Sequence, residues 1–180
     1  MLTFQILKIG RYNNDKEFSQ YVAESNWLVD DGLMDILGDL ANAGLFNKKK
    51  FEVLKLIDST PAIKEAFESP QMKKLISIGL EPASTKNQLL NGNIIFSRKG
   101  EDLNTNYGLG VFLNLRCIRR MVPRQSGRID TKIKTFDTNL SDSQFYRVAM
   151  QWAIDHIDFD SNTFLLKSKT GKDYFNNLSI

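Results

Sequence analysis

Ile129-Asp130-Thr131-Lys132-Ile133-Lys134-Thr135-Phe136 alternates apolar or β-branched residues with charged ones, the period of a strand with one face buried and one in water. Ile129, Thr131 and Ile133 fall on one side of it, and Asp130, Lys132 and Lys134 on the other. Just before it, Pro123-Arg124-Gln125-Ser126-Gly127 gathers turn-forming residues and predicts a hairpin loop. Ahead of the loop, Val111 to Met121 reads as one strand, with Val111, Leu113, Leu115 and Cys117 on its apolar face. Further out, Ile94 to Ser97 predicts another strand, and Thr163 to Lys167 a final one that ends at Gly171.

Helices surround this β-rich part. Ser141 with Gln144 three residues on is a capping box, and it opens a helix to about Ile157. On the N-terminal side, Thr3 to Ile9 reads as a strand, Asp15 to Ser25 as a helix, and Asp30 to Ala43 as a second helix with Gly44 at its C-terminal end. Asn47 suits the cap of a third helix over Lys48 to Ile57. Ser59-Thr60-Pro61 and Ser69-Pro70 each set a capping residue before a proline at the first helical position, which predicts two short helices. Between Gly79 and Asn93, Pro82, Ser84, Thr85, Asn87, Asn91 and Gly92 accumulate, and this stretch reads as a connection between the halves. The expected fold class is α+β: a mostly helical N-terminal half and a small, largely antiparallel sheet with a C-terminal core helix. A single domain over 1–180 is expected, because two hydrophobic cores would each be small for a chain of 180 residues.

Bulk properties narrow the function classes. Hydrophobic residues make up 42% and charged residues 25%, so a packed core is expected rather than disorder. No stretch approaches the roughly 20 apolar residues of a membrane span, and Met1 to Gly10 lacks the features of a signal peptide. Cys117 is the sole cysteine and cannot form an internal disulfide, which fits a reducing cytoplasm. With one histidine and one cysteine, the chain lacks donors for a structural zinc site, and neither a metal nor a cofactor is expected. The net charge of +3 is too small to argue for nucleic acid by itself.

Motifs of catalysis fail on inspection. Gly108-Leu109-Gly110 begins like a dinucleotide fingerprint, but Leu113 stands at the third glycine. Gly171-Lys172 is followed by Asp173 where a phosphate loop needs a hydroxyl, and Leu166 replaces its first glycine. Asp158, Asp160 and Asn162 have the opening spacing of a calcium loop, but Thr163 and Lys169 replace its glycine and its glutamate, so a polar turn is expected. His156 falls near Phe145, Ala149, Trp152 and Ala153 on the last helix, within its apolar arc, and reads as a partly buried structural histidine. Gln144, Arg147, Gln151 and Asp155 form the polar wedge of that helix. Cys117 on an apolar face reads as inert, since burial raises a thiol's pKa.

Two charge features carry the functional expectation. Asp31, Asp35 and Asp39 fall within about 80° of one another around the second helix, opposite Leu33, Ile36, Leu37 and Leu40. Like charges four residues apart oppose helix formation by roughly 0.2 to 0.5 kcal/mol per pair, so the stripe works slightly against local stability. The second feature is basic: Arg116, Arg119, Arg120, Arg124, Arg128, Lys132 and Lys134 lie on the expected hairpin with Asp130 as the one acid among them. Arginine suits bidentate contact with phosphate, but no aromatic residue for base stacking lies between Arg116 and Lys134.

In size, lack of catalytic apparatus and separated acidic and basic surfaces, the chain is similar to the small cytoplasmic immunity proteins that bacteria make against delivered toxins. That profile implies a non-enzymatic inhibitor of a protein partner, a toxin whose basic active-site cleft is masked by Asp31, Asp35 and Asp39. The alternative is a nucleic-acid-binding accessory protein that uses Arg116, Arg119, Arg120, Arg124 and Arg128. A third reading is an enzyme built on carboxylates that converge from distant positions.

Overall fold

The computed structural model describes residues 38, 39, 41–44 and 48–167. The strand expected over Thr3 to Ile9, the helix over Asp15 to Ser25, Asn47 and the chain end near Gly171 lie outside those residues, as do Asp31 and Asp35. The described part is α+β, with helices ahead of a five-stranded antiparallel sheet and a helix after it.

Three helices follow one another: α1 (Lys48–Ser59), α2 (Pro61–Glu68) and α3 (Pro70–Ser77). The proline signals explain the breaks. Pro61 and Pro70 cannot donate an N–H, so each starts a helix instead of continuing one. Ser69 completes its end by accepting from Met72 N at 3.2 Å, whereas Thr60 makes no side-chain cap bond.

The stretch from Gly79 to Asn93 has structure of its own. It holds β1 (Leu80–Pro82) and α4 (Lys86–Leu90). Thr85 and Gln88 form a capping box: Gln88 N donates to the Thr85 hydroxyl at 3.2 Å, and Thr85 N donates to Gln88 Oε1 at 2.8 Å. The remaining strands are β2 (Asn93–Arg98), β3 (Gly108–Phe112), β4 (Cys117–Met121) and β5 (Thr131–Thr135), in spatial order β1-β2-β3-β4-β5.

The expected single strand from Val111 to Met121 is corrected to two. Leu113 to Arg116 is a tight turn, with Arg116 N donating to Leu113 O at 3.1 Å, and β3 pairs with β4 across it. Arg116 takes a left-handed φ of 46°, a conformation disfavoured for a residue with a Cβ. Its side chain holds the turn through Nη1 to Leu113 O at 2.6 Å and Nη2 to Leu140 O at 3.1 Å. The expected face is corrected with it: Leu115 is 54% exposed, and Cys117 pairs with Phe112 on the opposite side of the sheet from Val111.

The capping box expected at Ser141 is present and opens α5 (Asp142–His156). Phe145, Tyr146, Ala149, Met150 and Ala153 recur at helical spacing and are buried against the sheet, α2 and α3. Fully burying each of the larger side chains contributes about 1.5 to 3 kcal/mol. Ile94, Phe96, Leu109, Val111, Ile118 and Ile133 supply the sheet side of this core. A short ribbon, β6 (Ile157–Asp158) with β7 (Leu165–Leu166), closes one end, where Phe164 is buried beneath Arg98 and Arg120.

Candidate functional site

Register divides the basic residues between the two faces of the sheet. Paired residues in an antiparallel sheet project to the same side. Phe96, Leu109, Arg120 and Thr131 form one row facing the core, and Ile95, Gly110, Arg119 and Lys132 form a row facing away from it. A β-bulge opposite Ile118 shifts β5, so that Ile133 and Lys134 together oppose one residue of β4. The alternation expected in β5 is thereby corrected: Ile133 is buried in the core, and Lys134 Nζ lies over the rings of Phe136 and Trp152 at 5.9 and 6.0 Å.

Two of the five arginines are committed to holding the fold. Arg116 is ion-paired with Asp142 Oδ1 at 3.0 Å and lies over the Phe145 ring. Arg120 is 7% exposed, and both its Nε and its Nη2 donate to Phe164 O at 3.3 Å. Burial pushes its guanidinium below the usual arginine range, an effect partly offset by nearby Tyr107.

The other three and Lys132 stand apart from those roles: Arg119 and Lys132 are paired on the side of the sheet away from the core, and Arg124 and Arg128 lie in the loop between β4 and β5. Arg119 is half-buried, with its guanidinium carbon 5.4 Å from the Phe112 ring centroid, and its Nε is buried without a hydrogen-bond partner. Phe112 can lie flat there because Gly110 has no side chain; a Cβ at Gly110 would overlap the Phe112 ring and come within 3.1 Å of Met121 Sδ. Arg128 donates to the Tyr107 hydroxyl at 2.6 Å. Arg124, Arg128 and Lys132 are exposed, and none of the four cations lies within 4.0 Å of a carboxylate among the described residues. Asp130, the one acid in the segment, accepts from Val122 N at 2.9 Å and fixes the neck of the loop. The fold therefore supplies aromatic partners that the segment itself lacks: Phe112 for Arg119 on the side away from the core, and Tyr107, which packs against the core, for Arg128.

The acidic stripe is represented by Asp39 alone, which is exposed on a helical turn; Ala41 beyond it is buried. That helix ends at Gly44 as expected, with Gly44 N bonded to Ala41 O at 3.1 Å.

An open groove of about 470 Å³ runs along α5 and α3. Gln71, Gln144, Arg147, Val148, Gln151, Trp152, Asp155 and His156 line it. His156 is exposed, which corrects the expected partly buried position, because it ends the helix where the chain turns into β6. Its ring stacks on Trp152 at 4.5 Å and 12°, and Nδ1 lies 2.9 Å from Trp152 O. Asp155 is the one carboxylate among the lining residues, so a pair of acids of the glycosidase kind is not assembled there.

Asp158, Asp160 and Asn162 occupy the polar turn of the β6–β7 ribbon, where Asp160 N donates to Asp158 Oδ1 at 3.0 Å. Among the described residues, no three His, Cys, Asp or Glu side chains gather for a metal ion, and no helix is long and apolar enough to cross a membrane. Compared with known proteins, the chain matches no family model, no curated protein and no solved structure, so the geometry alone carries the functional argument.

Proposed function

We propose that this protein is a non-enzymatic nucleic-acid binder that uses the loop between β4 and β5 together with the adjoining Arg119 and Lys132 pair. The observation that carries the reading is the set Arg119, Arg124, Arg128 and Lys132: four cations with no carboxylate within 4.0 Å among the described residues, two of them lying over aromatic rings. Cations on exposed side chains are available to a polyanion, and each phosphate contact releases condensed counterions. Holding arginine against an aromatic face removes much of the side-chain entropy that binding would otherwise cost. Filter retention of labelled single-stranded and duplex oligonucleotides at about 50 mM salt tests this, because phosphate-driven complexes form there and weaken steeply as salt rises. Failure to retain either oligonucleotide at low salt overturns the reading.

A second reading keeps the inhibitor. Asp39 is exposed on its helical turn, which suits contact with a basic partner such as a toxin cleft. Under it, Asp39→Lys slows association with the protein partner, and an unchanged rate removes Asp39 from that interface.

A further inference from the structure

The loop between β4 and β5 is tied down along its length and carries an apolar side chain into water. Asp130 closes its neck through Val122 N. Arg124 N and Gln125 N donate to Leu103 O at 3.4 Å and Asn104 O at 3.1 Å, which fastens the loop to the turn before β3. Inside it, the Ser126 hydroxyl donates to Pro123 O at 2.7 Å and accepts from Arg128 N at 3.2 Å. On this frame Ile129 is 88% exposed, against 59% for Leu90 and 54% for Leu115.

A lone exposed apolar residue is ordinary on a protein surface. Ile129 differs in its setting: it sits on a hydrogen-bonded loop, between exposed Arg128 and exposed Lys132, with exposed Arg124 in the same loop. A loop so held loses little further freedom when a ligand docks, and the branched side chain of Ile129 is stiff about χ1. The matching ligand must offer anionic groups and a flat apolar surface a few ångströms apart.

We infer, resting on the nucleic-acid reading above, that the ligand is single-stranded nucleic acid. Ile129 packs against the face of an unpaired base while Arg124, Arg128 and Lys132 meet the neighbouring phosphates. An unpaired strand presents base faces and phosphates together, whereas a duplex stacks its bases inside and offers mainly phosphates to such a loop. An anionic bilayer supplies the charge, but one isoleucine buries too little apolar area to anchor a protein there.

The test measures fluorescence anisotropy of a labelled single strand of roughly 12 nucleotides and of its duplex, within the usual site size of such binders. Wild type, Ile129→Ala and Ile129→Leu are compared across a salt series, with sedimentation on phosphatidylserine vesicles in parallel. Wild type is expected to prefer the single strand. Ile129→Ala is expected to lose about fivefold in single-strand affinity, with duplex affinity and salt slope unchanged and Ile129→Leu close to wild type. Equal affinity for both forms, or an Ile129→Ala variant that binds the single strand as wild type does, overturns this inference and leaves phosphate binding standing. If wild type binds neither oligonucleotide, both readings fall, and binding to vesicles alone assigns the loop to a membrane surface instead. Thermal melting of the exposed-site variants, expected to match wild type, shows that a loss of affinity is not a loss of fold.

Discussion

Arg128 grips Tyr107 in two ways at once: its Nη1 donates to the Tyr107 hydroxyl at 2.6 Å, and its guanidinium carbon lies 5.8 Å from the centroid of the same ring. The pair joins the loop after β4 to the loop before β3 and fixes where the positive charge stands. Tyr107→Phe keeps the ring and removes the acceptor, so it should weaken oligonucleotide binding by a factor of about two to three. Tyr107→Ala removes the ring as well and should cost about tenfold. Binding isotherms at fixed salt read both losses; the hydrogen bond itself is exposed, so Tyr107→Phe should leave the unfolding midpoint nearly unchanged, whereas Tyr107→Ala also removes a half-buried ring packed against the core and should lower it.

Arg120 behaves differently from its neighbour Arg119, although the two are adjacent in sequence. It faces the core and satisfies the carbonyl of Phe164, a residue with a left-handed φ of 52°. Arg120→Ala should lower unfolding stability by about 1.5 to 3 kcal/mol, the scale of a charge-assisted hydrogen bond, with further loss from the space it leaves. The salt slope of nucleic-acid binding by the folded fraction should not change. Urea denaturation measures the first effect and a salt titration the second.

Gly92 and Tyr146 are coupled across the core. Tyr146 donates its hydroxyl to Gly92 O at 2.5 Å, and Gly92 has a φ of +79°. A Cβ at Gly92 would stand 2.9 Å from Leu113 Cβ and 3.1 Å from the Tyr146 hydroxyl. Gly92→Ala combines backbone strain with this overlap and should destabilise by about 1 to 3 kcal/mol, measured by chemical denaturation. Tyr146→Phe leaves a buried carbonyl unpaired and should cost about 1 to 3 kcal/mol by the same measurement.

The same tyrosine sets an alkaline limit. Burial, with a smaller push from Asp142 and an opposing pull from Arg116, raises its phenol well above the ordinary value of 10.0. Its neutral form is therefore favoured in the folded state. That contribution is whole below the unfolded pKa and is lost as pH rises above about 10, where the unfolded phenol ionises and the folded one does not. Unfolding free energy measured across this window should fall more steeply for wild type than for Tyr146→Phe.

Local chemistry was legible in the sequence where the signal was self-contained. Ser69-Pro70 and the Ser141 and Gln144 capping box each name their own hydrogen-bond partners within a few residues, and both mark helix starts. Thr85 and Gln88 carry the same capping pattern, but it is hidden among turn-forming residues around a helix of five residues. The turn from Leu113 to Arg116 contains neither glycine nor proline; it is held by long-range bonds from Arg116 to Leu140 O and Asp142, which no local pattern reveals. The basic cluster was visible as a count of arginines. Its division was not, because the turn from Leu113 to Arg116 sets where β4 begins, and with it that Arg120 faces Phe164 and Arg119 faces Phe112.

If the loop cations and Lys132 contact phosphate, nucleic-acid binding must be salt-dependent through them. The direct measurement is the salt dependence of single-strand binding for wild type and for a variant with Arg124→Gln, Arg128→Gln and Lys132→Gln, three exposed side chains. Each phosphate contact contributes about −0.7 to the slope of log affinity against log salt, so the variant should bind more weakly with a slope flatter by about 2. An unchanged slope, or no binding by wild type at low salt, means that these side chains do not contact phosphate.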